Sequence, residues 1–159
     1  TSPVIMPLLE SKLNIDEIVV MVQKEAAQRL CAEVGTRDSG AVTVAVRYYA
    51  EPEVLFSVDR SSFYPSPNVD SAVIKLSLRK EPAVPLKDEK TFFSVVKCGF
   101  AQRRKTLLNS LANTMGIKKQ IVSEAMKEAQ LPENIRMEKL TMEQLALLSD
   151  IIFEMKSGE

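Results

Sequence analysis

The 159-residue chain contains no histidine. This excludes Ser-His-Asp and Cys-His catalysis within it, along with the usual zinc ligands. Its only two cysteines, Cys31 and Cys98, lie far apart and form no Cys-x-x-Cys pair. Neither a disulfide framework nor a zinc site is expected, and a reducing cytoplasmic compartment is the default. The five glycines never form a glycine-rich turn between a strand and a helix, so no nucleotide cradle can be built from this chain alone. Acidic residues show no metal-ligand spacing, and no metal is expected. No apolar run approaches the ~20 residues that span a bilayer, and the opening lacks a secretory pattern, so no membrane partner is expected.

What is present suits a globular protein. Hydrophobic residues make up 45% and charged residues 26%, enough to bury a sizeable core. The length fits one domain, or a small domain joined to part of another. The chain opens TSPVIM without an initiator Met and enters a structured-looking segment at once, which reads as a piece of something longer. A net charge of zero conceals segregation. The stretch from Lys90 to Ser123 holds seven of the 21 basic residues and none of the 21 acidic ones, leaving 14 basic against 21 acidic elsewhere. A local positive surface facing an anionic partner follows.

Ser2 and Pro3 read as a helix start, followed by Val4, Ile5, Leu8, Leu9 and Leu13 at helical spacing despite Pro7. Ile18 to Val22 is a continuous apolar run rich in β-branched residues, expected as a strand buried on both faces of a parallel sheet. Gln23 to Leu30 returns to helix, and Val34 to Gly40 is a polar loop. Ala41 to Ala50 alternates like a strand, but a helix between strands suits an α/β layer better. Glu53–Val58 and Ala72–Leu78 are the next strands, expected as an antiparallel pair at a sheet edge. In the second, Ala72, Ile74, Leu76 and Leu78 share one face, and Val73, Lys75, Ser77 and Arg79 the other. Residues 81–88, with two prolines, read as a linker. Beyond it, 89–97, 103–115, 118–129 and 141–155 look helical, the last opened by a capping box at Thr141. The fold class is therefore α/β over 1–80, then an all-α domain over 89–159.

Three segments carry candidate chemistry. In Phe63-Tyr64-Pro65-Ser66-Pro67-Asn68-Val69-Asp70-Ser71-Ala72-Val73, Pro65 and Pro67 fix φ and hold their neighbours extended. Phe63 then becomes a platform on which a planar base could stack, a contact of roughly 1–3 kcal/mol. The plainer alternative is a stiff connection whose Phe and Tyr pack into the core. In Phe100-Ala101-Gln102-Arg103-Arg104-Lys105-Thr106-Leu107-Leu108-Asn109, three adjacent cations lack the interleaved acids of a merely soluble helix. Phosphates would supply the countercharge, and Lys118 and Lys119 extend the basic stretch. The alternative is a solvated basic face. An unbroken helix would put Arg104 within the apolar stripe, so a break is expected near Gly99, with the triplet opening a new helix. Gln23-Lys24-Glu25, at the C-terminal end of a strand, could line a site mouth or simply cap and pair.

FYPSPNVDSAV resembles the ribosomal RNA adenine dimethyltransferases that modify small-subunit RNA. TSPVIMPLLE, IVVMVQKEAAQRL, VAVRYYAEPEVLFSV and FAQRRKTLLNSL resemble the same family in the same order, covering nearly the whole chain. The resemblance implies a seven-stranded Rossmann-like methyltransferase sheet, of which 1–80 would hold the last three strands, followed by a helical RNA-binding domain at 89–159. It implies transfer of methyl groups from S-adenosylmethionine to N6 of two adjacent adenosines, with no metal. The cofactor loop and catalytic motif would lie upstream. Phe63 would sandwich the flipped adenine, with Pro65 and Pro67 as the rigid loop behind it. Arg103, Arg104 and Lys105 would contact RNA, the partner being small-subunit RNA or the assembling subunit. Two other readings remain: a non-catalytic RNA- or ribosome-binding module, and the related enzymes acting on large-subunit RNA. Alone, the 159 residues are expected not to methylate RNA.

Overall fold

The computed structural model describes residues 2–11 and 13–157, with the side chains of residues 2, 3 and 157 set aside. It divides into two compact units: Thr1–Glu33 with Val42–Ala83, and Val34–Ala41 with Val84–Glu159.

The first unit is a three-stranded antiparallel sheet with helices on one face. Its elements are α1 (Ser2–Glu10), β1 (Glu17–Gln23), α2 (Lys24–Leu30), α3 (Ala41–Tyr49), β2 (Ala50–Val58) and β3 (Ser71–Leu78). The order is β1-β3-β2, so the last strand lies between the other two. β3 shows the alternation expected of it: Ala72, Ile74 and Leu76 are buried, with Val73, Lys75 and Ser77 on the opposite face. The buried row joins Ile18 and Val22 of β1, Ile5 and Leu9 of α1, and Ala27 and Leu30 of α2 in one core. The antiparallel pairing of β2 with β3 matches expectation, although β2 starts three residues early, at Ala50. Pro52 fits there because β2 is an edge strand, where a missing N–H breaks no ladder bond. A register shift between Val54 and Phe56 turns Phe56 to the side of Val73.

Two expectations need correction. β1 runs antiparallel to its neighbour and is covered on one face only; Val19 and Met21 remain 54% and 50% exposed. Its unbroken apolar run therefore does not mark burial on both faces among the described residues. The first helix ends at Glu10, where the Ser11 hydroxyl donates to the Leu8 carbonyl at 2.9 Å, leaving Leu13 outside it and exposed. Val4 is exposed as well, so the buried stripe of α1 is Ile5 and Leu9. The N-cap expected at Ser2 depends on side-chain atoms outside the described residues. The segment is helical over Ala41–Tyr49, as favoured, with Ala50 already opening β2. From this helix, Arg47 donates Nε to the Ala32 carbonyl (3.0 Å) and Nη2 to the Cys31 carbonyl (2.9 Å), satisfying acceptors left open where α2 ends.

The second unit is helical: α4 (Glu89–Phe100), α5 (Leu107–Thr114), α6 (Lys119–Glu128) and α7 (Met142–Ser157). Helix α4 packs on α5 and α7, and α6 on α5 and α7. Asp88 caps α4 by accepting from the Thr91 N–H at 3.1 Å, a contact of about 1 kcal/mol. Thr141 and Gln144 form the expected capping box reciprocally, at 2.9 and 3.2 Å. Gly116, at φ +73°, adopts the left-handed conformation that stops α5. Residues 81–88 contain no helix, and Lys87 is tied to α7 through Asp150 (3.0 Å) and an ion pair with Glu154.

Candidate functional site

The Pro-rich connection is ordered by a single arginine. Asp59 opens a 3-10 turn, Arg60–Ser62, by accepting from the Ser61 N–H at 2.8 Å. Arg60 then binds the far end of the loop: its backbone N–H and Nε both donate to Asp70 Oδ1 (2.9 and 3.2 Å), and Nη1 donates to the Asn68 carbonyl (2.8 Å). The Ser66 hydroxyl donates to the Arg60 carbonyl at 2.9 Å. Both carboxyls are held below the usual carboxylate range, Asp59 chiefly by the Ser61 N–H and Asp70 chiefly by the Arg60 N–H. Twelve residues thus form a closed clamp rather than a slack connection.

Phe63 leaves the 3-10 turn in an extended conformation (φ −115°, ψ 150°), with its N–H on the Arg60 carbonyl at 3.3 Å. It is partly buried, whereas Tyr64 is fully exposed, so the alternative in which both rings pack into the core does not hold for Tyr64. Pro65 and Pro67 follow as exposed residues, and the Tyr64–Pro65 peptide is cis. Beside this loop lies an open cavity of about 330 Å³, walled by Gln23, Lys24 and Gln28 and by Arg60, Val69 and Asp70. Gln23-Lys24-Glu25, singled out from sequence, therefore does line a mouth beside the Phe63 loop. Sequence reasoning missed Arg60 and Gln28, since nothing in their spacing announces a clamp spanning ten residues.

The basic triplet is placed differently from expectation. Helix α4 ends at Phe100, and Arg103, Arg104 and Lys105 lie in the following turn; α5 begins only after Thr106, whose hydroxyl accepts from the Asn109 N–H at 3.3 Å. The break expected near Gly99 is thus present, but the triplet does not open the new helix. The turn is fixed from beneath by buried Ser110, which donates to the Cys98 carbonyl (2.6 Å) and accepts from the Gln102 N–H (3.3 Å). Within the triplet the roles differ. Arg103 Nη2 donates to the carbonyls of Ser39 (2.9 Å) and Arg37 (3.3 Å) and lies 3.7 Å from Glu138. Arg104 and Lys105 are exposed, and their side chains make no hydrogen bond or ion pair among the described residues. Arg136 shares a shallow cleft with Arg103 and Lys105. Lys118 and Lys119 stand exposed at the start of α6.

Among the described residues, no three His, Cys, Asp or Glu side chains come close enough to hold a metal. Burial pushes the Cys31 thiol up, making it a poor nucleophile. No helix among the described residues is long and apolar enough to cross a membrane. β1 passes into α2 with no intervening loop and no glycine, so this junction offers no cradle for S-adenosylmethionine.

The arrangement of helices and strands is similar to that of solved structures. A dimethyladenosine transferase from Plasmodium falciparum superposes with a TM-score of 0.73 at 24% identity, over 93% of this chain and 61% of that one. The 23S rRNA methyltransferase ErmE gives 0.66 at 24% identity, over 96% and 60%. These likenesses define a methyltransferase fold. Residues 1–154 match the family described as ribosomal RNA adenine dimethylase, and the chain belongs to that family. Among curated relatives, the ribosomal RNA small subunit methyltransferase A of Geobacillus sp. (strain WCH70) is 47% identical over 156 residues, 96% of this chain and 53% of the relative. That of Geobacillus thermodenitrificans is 48% identical over 155 residues, with the same shares covered. That of Lachnoclostridium phytofermentans is 46% identical over 156 residues, 97% and 54%. The chain spans about half the length of these relatives.

Proposed function

We propose that this chain forms the base-binding and RNA-binding part of an enzyme that dimethylates N6 of two adjacent adenosines in small-subunit ribosomal RNA. The observation that carries the proposal is Phe63, held extended at the rim of a loop that Arg60 and Asp70 close. An RNA base must leave its stack before its exocyclic amine can react, and a fixed aromatic face offsets part of that cost. Rigidity matters because a platform that must be ordered on binding gives back its stacking energy as entropy. Arg104 and Lys105, free of internal partners, supply phosphate contacts, with Lys118 and Lys119 as further cations. Arg103 acts chiefly by fixing the turn that presents them.

The chain's own residues thus bind and orient; the β1–α2 junction offers S-adenosylmethionine no cradle, and its binding is assigned to an N-terminal half. The same half would extend the sheet from the free edge of β1 into a Rossmann-like arrangement and cover Val19, Met21 and Phe56, which are otherwise exposed. Residues 1–80 then belong to the methyltransferase domain and 89–159 to a helical RNA-binding domain, joined at 81–88. The reaction, on the assembling small subunit, places the protein in the cytoplasm.

The test uses labelled S-adenosylmethionine and unmethylated small-subunit RNA. The chain alone is expected to incorporate no label. Joined to the N-terminal half of a Geobacillus relative, it is expected to do so. Phe63→Ala in the joined protein should lower the rate by about 5- to 150-fold, the equivalent of one stacked base. Incorporation by the chain alone, or full activity of the Phe63 variant, would refute the assignment.

A further inference from the structure

We propose that the cavity beside the Phe63 loop is a second nucleotide subsite, taking the neighbour of the base stacked on Phe63 in a single-stranded RNA. The inference rests on the function proposed above and adds a site to it. The cavity, about 330 Å³, falls in the size range of small-ligand pockets. Its lining offers what a nucleoside needs. Gln23 and Gln28 present carboxamides, each with a donor and an acceptor side, and neither side chain has a hydrogen-bond partner among the described residues. Val69 gives an apolar wall, exposed at 37%.

Charge selects the form of the ligand. Arg60 is ion-paired with Asp70 at 3.2 Å, whereas Lys24 forms no ion pair among the described residues, although its charge helps to hold the Asp70 carboxyl down. Glu25 shares the rim, so the lining carries two cations and two carboxylates. That balance disfavours a free di- or triphosphate and suits one phosphodiester at Lys24 with a neutral base and ribose behind it. Geometry supplies the link to Phe63. Arg60, which lines the cavity, accepts the Phe63 N–H at its carbonyl, so the platform residue and a cavity residue are one 3-10 turn apart. The proposal seats two consecutive nucleotides on platform and cavity, with the clamped loop common to both.

The test compares 5′-AMP with the dinucleotide ApA on the ¹⁵N-labelled chain, followed by amide chemical shifts. AMP is expected to shift only amides between 61 and 66, where all but Pro65 carry an N–H. ApA should also shift those at 23–28 and 69–70 and bind about tenfold more tightly, the worth of one further good contact. In the double variant Lys24→Ala, Gln28→Ala, both exposed positions, ApA should fall to the affinity of AMP while AMP binding stays unchanged. Dispersed spectra verify the fold of each protein. If ApA moves only 61–66 and binds no better than AMP, the subsite is refuted and the Phe63 platform stands. If the variant weakens AMP equally, these residues act on the loop and the subsite is again refuted. Silence of both regions toward both probes overturns the platform and the subsite together.

Discussion

Replacing Arg103 and Arg104 separately by alanine distinguishes a cation that builds the turn from one that the turn presents. Arg103 donates to Ser39 at 2.9 Å and more weakly to Arg37 at 3.3 Å, with Glu138 at 3.7 Å. A hydrogen bond from a charged donor contributes about 1.5–3 kcal/mol when desolvated. Arg103 keeps 38% side-chain exposure, so water partly replaces what is lost, and the Glu138 pair adds under about 1 kcal/mol. Arg103→Ala should therefore destabilise by about 1.5–2 kcal/mol, a shift in urea midpoint at constant slope. Arg104→Ala, which breaks no hydrogen bond or ion pair among the described residues, should stay within about 0.5 kcal/mol of the parent. RNA binding should show the reverse. Arg104→Ala lowers the slope of log K against log salt by about 0.7–0.9, as one phosphate contact is lost. Arg103→Ala leaves that slope nearly intact. Equal stabilities, or a slope change confined to Arg103, would show that the internal hydrogen bonds do not govern the triplet.

Further outcomes follow from particular contacts. Ser110→Ala removes a buried hydroxyl that serves both Cys98 and Gln102, and should cost about 1–2 kcal/mol in urea unfolding. Ser39 is buried and its hydroxyl has no hydrogen-bond partner among the described residues, so Ser39→Ala should be neutral or slightly stabilising by the same measurement. At Gly99 a Cβ would stand 2.6 Å from Sδ and 2.9 Å from Cγ of buried Met137. Overpacking of about 1–3 kcal/mol should outweigh the ~1 kcal/mol gain in helix propensity, and a raised melting temperature for Gly99→Ala would contradict this. The carboxyl of Asp70 is depressed by the hydrogen bonds from Arg60, so the loop clamp is intact above the ordinary aspartate pKa. It should open as pH falls through the lower, folded-state value, seen as a shift of the Arg60 amide that Asp70→Asn abolishes.

The sequence made some of this legible and concealed the rest for physical reasons. Alternation at Ala72, Ile74 and Leu76 reports a strand with one covered face because side chains repeat every two residues. The run Ile18–Val22 misled because a continuous apolar strand says how greasy both faces are, not whether anything covers them. Helical spacing drew Arg103–Lys105 into the next helix, although Thr106 before Leu107 and Leu108 was a readable N-cap signal. Phe63 and its prolines could be singled out because proline acts locally. Arg60 could not, nor could the partners of Arg103, which lie 64 and 66 residues away in the chain. Contacts of that separation exist only once the fold has formed.

The short stretch Val34–Ala41 belongs with the helices that follow residue 83, not with the sheet that brackets it in sequence. A helical fragment expressed from Val84 onward would therefore be born without the carbonyls of Arg37 and Ser39, and the Arg103 guanidinium would face water in their place. Dissection by truncation is thus a poor way to ask what the basic turn does. A fragment that fails to hold RNA would be reporting an absent lining of eight residues rather than an absent binding surface. Substitutions in the intact chain, or a fragment in which 34–41 is added back as a peptide, separate the two.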